Sequence, residues 1–240
     1  MTNFTADASL AQIMIEQPSA ASVLEARGLD YCCGGMTTLK DACTTAGIDP
    51  LAVLSEINSL DDYSRNDDFS SLSPAALTDH IEATHHHYLH QEFGRLEALV
   101  KKVLGVHGAK HPELLVVQDV YMELRSDLEA HLAKEERVLF PMIRELSTAT
   151  VQPDFQCGSI NNPVSMMMME HDRAGMLIGH LRTATGDFSP PADACASYIA
   201  LFDGLRQLEA DTHLHIHKEN NLLFPAVVEL EQELTAATPA

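Results

Sequence analysis

The chain has 240 residues, 45% of them apolar, enough for one large domain or for a bundle carrying a small extra module. Its 15 Lys and Arg against 35 Asp and Glu leave a net charge of −20, which argues against a nucleic-acid surface and against docking on anionic membranes. Aromatics are only 5% and Trp is absent, so Leu, Ala, Val and Met must fill the core, which suits packed helices better than a β-sandwich.

Residues 1–60 read as a small helical N-terminal domain. Amphipathic stretches over 8–16 and 19–27 are separated by Pro18, the run from Gly28 to Gly35 interrupts them, and 37–46 and 50–60 resume the pattern. Residues 61–73 are polar and acidic without period, as in a linker. From 74 to 234 the pattern is four long helices. Ser73-Pro74 supplies an N-cap and a first-turn proline for the first, which Gly105 and Gly108 stop. The second starts near Pro112 and runs past Leu139, Asn162-Pro163 starts the third, and Pro190-Pro191 opens the fourth. The fold class is all-α, with an up-down four-helix bundle. The first residues lack the basic and apolar regions of a signal peptide, and no apolar run is long enough to span a bilayer, so a cytoplasmic location is expected.

A repeat carries the chemistry. The segment His131-Leu-Ala-Lys-Glu135-Glu-Arg-Val-Leu-Phe-Pro-Met-Ile-Arg-Glu-Leu146 aligns with His215-Ile-His-Lys-Glu219-Asn-Asn-Leu-Leu-Phe-Pro-Ala-Val-Val-Glu-Leu230, with 8 of 16 positions identical. Residues four apart share a helix face, so each His-x-x-x-Glu can aim an imidazole and a carboxylate at one centre. Leu128 and Leu124, and likewise Leu208 and Leu205, mark that face as the buried one. A single such pair could be a core hydrogen bond. Two in register on paired helices point to metal, because a buried His beside a buried Glu is costly unless paired or ligated.

The other two helices should then give one ligand each. His171 is the candidate on the third. On the first the triplet His85-His86-His87 leaves a choice: from His86, positions +3, +7 and +10 are Leu89, Phe93 and Leu96, whereas from His85 they are Tyr88, Glu92 and Arg95. His86 is the better fit. Four His and two Glu, with both carboxylates able to bridge, suit a pair of first-row cations, above all iron with an oxo or hydroxo bridge, with manganese the harder alternative to exclude. His213 and His217 lie two from His215; they could support the ligands from behind or face solvent, and solvent is the expectation. Four consecutive residues cannot share a helix face, so Met166–Met169 reads as packing and gap-filling rather than a soft-metal site. The five cysteines imply no disulfide framework, and Cys43, Cys157 and Cys195 read as ordinary helix or loop residues.

The bundle over 74–234 resembles the hemerythrin-like fold. With Asp30-Tyr31-Cys32-Cys33-Gly34-Gly35, Glu170-His171-Asp172 and the two Leu-Phe-Pro segments, the chain more specifically resembles the repair-of-iron-centres family of ScdA/DnrN-type di-iron proteins. The resemblance implies repair of iron–sulfur clusters after nitrosative or oxidative stress, with iron held by His86, His131, Glu135, His171, His215 and Glu219. It implies, as partners, damaged iron–sulfur proteins or a cluster-assembly scaffold. It also matches His107 to a further family histidine, a possible ligand or supporting residue, although His107 lies about six turns from His86. The extra His85, His87 and His90 depart from the pattern. Cys32 and Cys33 are candidates for thiol chemistry, accepting or delivering iron or reacting with nitric oxide. Binding or reduction of nitric oxide at the centre is the alternative to repair. A homodimer is plausible on symmetry grounds alone.

Overall fold

A computed structural model describes residues 4–60 and 69–237. Three of the N-terminal helices begin where a short polar side chain takes an orphan backbone N–H. Ser9 caps α1 (Leu10–Glu16), Thr38 caps α3 (Leu39–Ala46), and Asp49 followed by Pro50 starts α4 (Pro50–Asn58). Between them a 3₁₀ turn over Pro18–Ala20 leads into α2 (Ala21–Ala26). Gly47 ends α3 in the left-handed region at φ 70, where a Cβ would be strained. Leu10, Ile13, Met14, Leu24, Leu39, Val53 and Ile57 form a compact core that also takes in Ile216 of the bundle. The N-terminal helices are therefore seated on the bundle rather than tethered beside it.

The first long helix comprises α5 (Pro74–Ile81), a π turn (Glu82–His86) and α6 (His87–His107). Ser73 caps it through the Ala76 N–H, as the sequence predicts. The second comprises α7 (Glu113–Lys134), a π turn (Glu135–Leu139) and α8 (Phe140–Thr148). The third is α9 (Asn161–Ala184), and the fourth comprises α10 (Ala196–Lys218), a π turn (Glu219–Leu223) and α11 (Phe224–Ala237). In the second and fourth helices the widened turn precedes Phe-Pro. Proline has no N–H for the i−4 carbonyl, and the wider turn relieves the clash without ending the helix.

The fourth helix starts at Ala196, not at Pro190-Pro191 as its sequence suggested. Cys195 occupies the cap position in extended backbone, and the prolines lie in the preceding connector. Of the expected linker, 61–68 lies outside the described residues and Phe69–Ser71 makes a 3₁₀ turn. Among the described residues no strand forms, and no helix is long and apolar enough to cross a membrane.

Two apolar layers stack along the bundle. One holds Leu89, Phe93, Leu124, Leu128, Ile178 and Leu205, and the other holds Leu77, Ile81, Phe140, Ile143, Met167 and Phe224. Of the methionine run, Met167 alone packs in the core, while Met166, Met168 and Met169 are exposed on the outer face of α9. The residues between the two layers are polar.

Candidate metal centre

His86, His131, Glu135, His171, His215 and Glu219 converge in that polar slice, and each is at most 3% exposed. His86, Glu135, His215 and Glu219 form one quartet of potential ligands, and His131, Glu135, His171 and Glu219 form another. Both carboxylates belong to both quartets. His86 Nε2 and His131 Nε2 lie 3.4 and 3.3 Å from Glu135 Oε2. His171 Nε2 and His215 Nε2 lie 3.1 and 3.2 Å from the Glu219 oxygens, and His131 Nε2 lies 3.1 Å from His171 Nε2. Donor atoms sharing one cation at bonds of about 2.1 Å sit roughly 3.0 to 3.4 Å apart. The separations match that spacing.

The buried atoms show what the centre wants. His86 Nε2, His215 Nε2 and all four oxygens of Glu135 and Glu219 have no hydrogen-bond partner, although they lie at ion-pair distance from one another. Buried polar groups are rarely left so. Donor atoms that face a common point without mutual hydrogen-bond geometry fit cations placed between them.

Electrostatics agree. Burial opposes ionisation of Glu135, as does the neighbouring Glu219 charge, yet the His131 and His86 imidazoles outweigh both and hold its carboxyl below the ordinary range. Glu219 is held well below that range against the same burial penalty, by His215 and His171. Burial likewise disfavours the charged His131, but Glu135 and Glu170 raise it to about 10. Without a cation, protons on the imidazoles must balance the two buried carboxylates. A metal takes over that charge and releases those protons.

The far nitrogens of three rings are fixed from outside. His86 Nδ1 lies 3.1 Å from Glu136 Oε1, His131 Nδ1 lies 3.0 Å from Glu170 Oε2, and His171 Nδ1 lies 2.8 Å from Asn220 Oδ1. Such partners set the tautomer and aim Nε2 inward. Glu170 also pairs with Lys134, and the hydrogen bond from His131 is the main cause holding its carboxyl down to about 2. Glu170 and Asn220 were visible in the sequence as neighbours of His171 and Glu219, but Glu136 was not singled out there.

The remaining histidines divide by position. His85 is buried but turns away, with Nδ1 2.8 Å from Asp211 and Nε2 2.9 Å from Lys218 Nζ; His87 is exposed and contacts Gln91. His107 lies at the far end of the bundle, 3.2 Å from Cys195 Sγ, and belongs to neither quartet. The expectation that His213 and His217 face solvent fails for His217, and His213 is half-buried. His217 is 4% exposed, both rings pack edge-on against Tyr31, and His217 Nδ1 lies 3.0 Å from Asn221 Nδ2. The N-terminal domain covers this side of α10, and burial pushes His217 down to about 4.

Asn220 and Asn221 join the two regions. Asn220 Nδ2 donates to the Cys32 carbonyl at 3.3 Å while its oxygen meets His171, and Asn221 Nδ2 donates to the Tyr31 carbonyl at 3.2 Å. A Cβ on Gly35 would collide with the Asn221 carboxamide, so a larger residue there would displace that side chain from its bonds to the Tyr31 and Cys32 carbonyls.

A four-helix bundle with this His and Glu set in its core defines a cation-binding protein, and residues 77–227 match the hemerythrin HHE cation binding domain, the family to which this chain belongs. Residues 6–61 match the ScdA N-terminal domain, described as a domain of unknown function (DUF542). The chain is 30% identical to the iron–sulfur cluster repair protein ScdA of Staphylococcus haemolyticus over 92% of its own length and 97% of that protein. It is 31% identical to a probable iron–sulfur cluster repair protein of Haemophilus influenzae over 93% and 97%. To the iron–sulfur cluster repair protein YtfE of Cronobacter sakazakii it is 32% identical, over 91% and 95%.

Proposed function

We propose that this protein carries a non-haem di-iron centre and repairs iron–sulfur clusters damaged by nitrosative or oxidative stress by supplying iron. The observation that supports this most is the sharing of Glu135 and Glu219 between the two quartets, since a carboxylate common to two cation seats would bridge them. Relatives whose names declare iron–sulfur cluster repair, aligned over nearly the whole chain, support the choice of reaction. In this reading His86 and His215 would hold one cation and His131 and His171 the other, with Glu135 and Glu219 available to both. Iron held there would supply a labile store and positions for an outside ligand. Glu136, Glu170 and Asn220 orient the imidazoles, and the apolar layers on either side exclude water. The partner is a damaged iron–sulfur protein or a cluster-assembly scaffold.

A second reading, binding or reduction of nitric oxide at the same centre, is favoured by a cavity of about 150 Å³ that reaches His131 and His171 between α7 and α9. Its size suits a diatomic ligand.

The test is metal content and absorption of protein purified without oxygen, for wild type and for Glu135→Ala/Glu219→Ala. A pair of irons per chain with a bridge absorption, both lost in the variant, is the expected result. Loaded protein that restores a nitric-oxide-damaged cluster enzyme while losing iron points to repair; nitric oxide consumed without loss of iron points to the second reading. A wild type holding a lone zinc or no metal refutes the centre.

A further inference from the structure

The loop between α2 and α3 carries donor groups that the bundle centre does not use. Cys32 Sγ lies 3.2 Å from Asp30 Oδ1 and 3.9 Å from Cys33 Sγ, and these three side chains could share one ion. We propose that Asp30, Cys32 and Cys33 form a separate mononuclear site for a thiophilic divalent cation of the zinc or ferrous class.

The spacing is that of ligands, not of a disulfide. Two thiolates on one tetrahedral cation at bonds of about 2.3 Å stand roughly 3.8 Å apart, and a carboxylate oxygen stands about 3.5 Å from each. The cysteines are unbridged, the Cys32–Cys33 and Cys32–Asp30 separations fall within a few tenths of an ångström of those values, and all three donor atoms lie within 4.8 Å of one another. Asp30 Oδ1 also accepts from the Cys32 and Cys33 backbone N–H groups at 3.0 and 2.9 Å. Those bonds fold the loop, and the Cys32 thiol's own contacts with Asp30 Oδ1 and Cys33 Sγ hold the three donors together at the wall of a cavity.

That cavity, about 480 Å³ between the N-terminal domain and helices α9 and α10, gives a cation access and further donors. Asp30, Cys32 and Cys33 line it together with Glu25, Asp172 and His213. Cys32 is buried, Cys33 half-buried and Asp30 exposed, so the site is shielded on one side and open on the other. Two thiolates and a carboxylate suit a soft or borderline dication far better than calcium or magnesium, which prefer oxygen alone.

The site is wired to the bundle. The Cys32 carbonyl accepts from Asn220, whose oxygen meets His171, so two hydrogen bonds separate the thiol loop from the dinuclear centre. Binding at Asp30, Cys32 and Cys33 stands independently of the di-iron reading. Its role as a waypoint for iron entering or leaving the bundle rests on that reading.

The experiment is an anaerobic titration of reduced full-length protein with cobalt(II), in a Cys157→Ser/Cys195→Ser background that removes the exposed thiols. A thiolate-to-cobalt charge-transfer band is expected, retained in Glu135→Ala/Glu219→Ala and lost in both Cys32→Ser and Cys33→Ser. Asp30→Asn, which keeps an acceptor oxygen but loses the charge, should weaken cobalt binding by about tenfold or more. Residue-resolved alkylation of the same background protein gives a second readout that does not depend on variant folding: zinc should slow reaction at Cys33 and Cys32. Absence of the band in protein whose thiols are counted as reduced, its persistence in Cys32→Ser/Cys33→Ser, or alkylation indifferent to zinc overturns the proposal. A wild type that lacks bundle iron yet keeps the band overturns the di-iron reading alone.

Discussion

Replacing Glu135 by Gln in metal-free protein isolates the charge balance of the centre. Glu135 is fully buried, and His131 beside it is raised from 6.5 to about 10, chiefly by that carboxylate once burial is overcome. A rise of that size corresponds to roughly 5 kcal/mol of preference for the charged imidazole, and Glu170 and Glu219 contribute part of it. Removing one partner of a buried ion pair costs about 3–5 kcal/mol, so the two routes agree on the scale. At pH 7 the metal-free variant should therefore melt roughly 6–20 °C below metal-free wild type. The sign of the pH dependence follows from the folded imidazole lying above its unfolded value. The His131 contribution is fully present below about pH 6.5 and is lost as pH rises through about 10. Calorimetry of both proteins with chelator at pH 7 and above pH 10 checks this: the gap should be large at the first and should close at the second. A gap absent at pH 7, or one that does not change with pH, refutes the argument that protonated imidazoles stand in for the cations.

Other outcomes follow from the same geometry. Loading metal-free protein with ferrous iron at pH 7 should release protons, seen as acidification of a weakly buffered solution, and apparent affinity should fall as pH is lowered. Glu170→Gln and Glu136→Gln leave the ligands in place but loosen their aim, and each should weaken metal binding about 10–100-fold by competition against a chelator. Gly35→Ala drives a methyl into the Asn221 carboxamide and should loosen the seat of residues 4–60 by about 1–3 kcal/mol, read as faster amide exchange there with the bundle unchanged.

The sequence made the centre legible because its logic is periodic. His131 and Glu135 repeat as His215 and Glu219, and the apolar positions around His86 distinguish it from His85. The same periodicity misplaced His217. Facing away from the bundle core means facing solvent only when nothing else packs there, and the helices of residues 4–60 do. Glu136 escaped for a related reason: its contact with His86 spans two helices, and helical spacing carries no information about how neighbouring helices are rotated. The start of the fourth helix at Ala196 was hidden because a Pro-Pro pair is equally at home in a connector.

The π turns have a consequence for how the bundle can be altered. Past Glu135 the buried positions are Leu139, Phe140, Ile143 and Leu146, while Val138, which an unbroken helix would turn inward, is 52% exposed. Each widened turn thus works as a phase shifter, letting one hydrophobic stripe serve the layer below the centre and a stripe displaced by a residue serve the layer above. Winding these residues as regular α-helix at unchanged length would improve local hydrogen bonding, yet it would swing everything beyond by about 100° and unseat Phe140 and Ile143. The extra residue and the widened turn thus come as a pair, and an engineered bundle that kept every residue but used regular helices would close only one of its two halves.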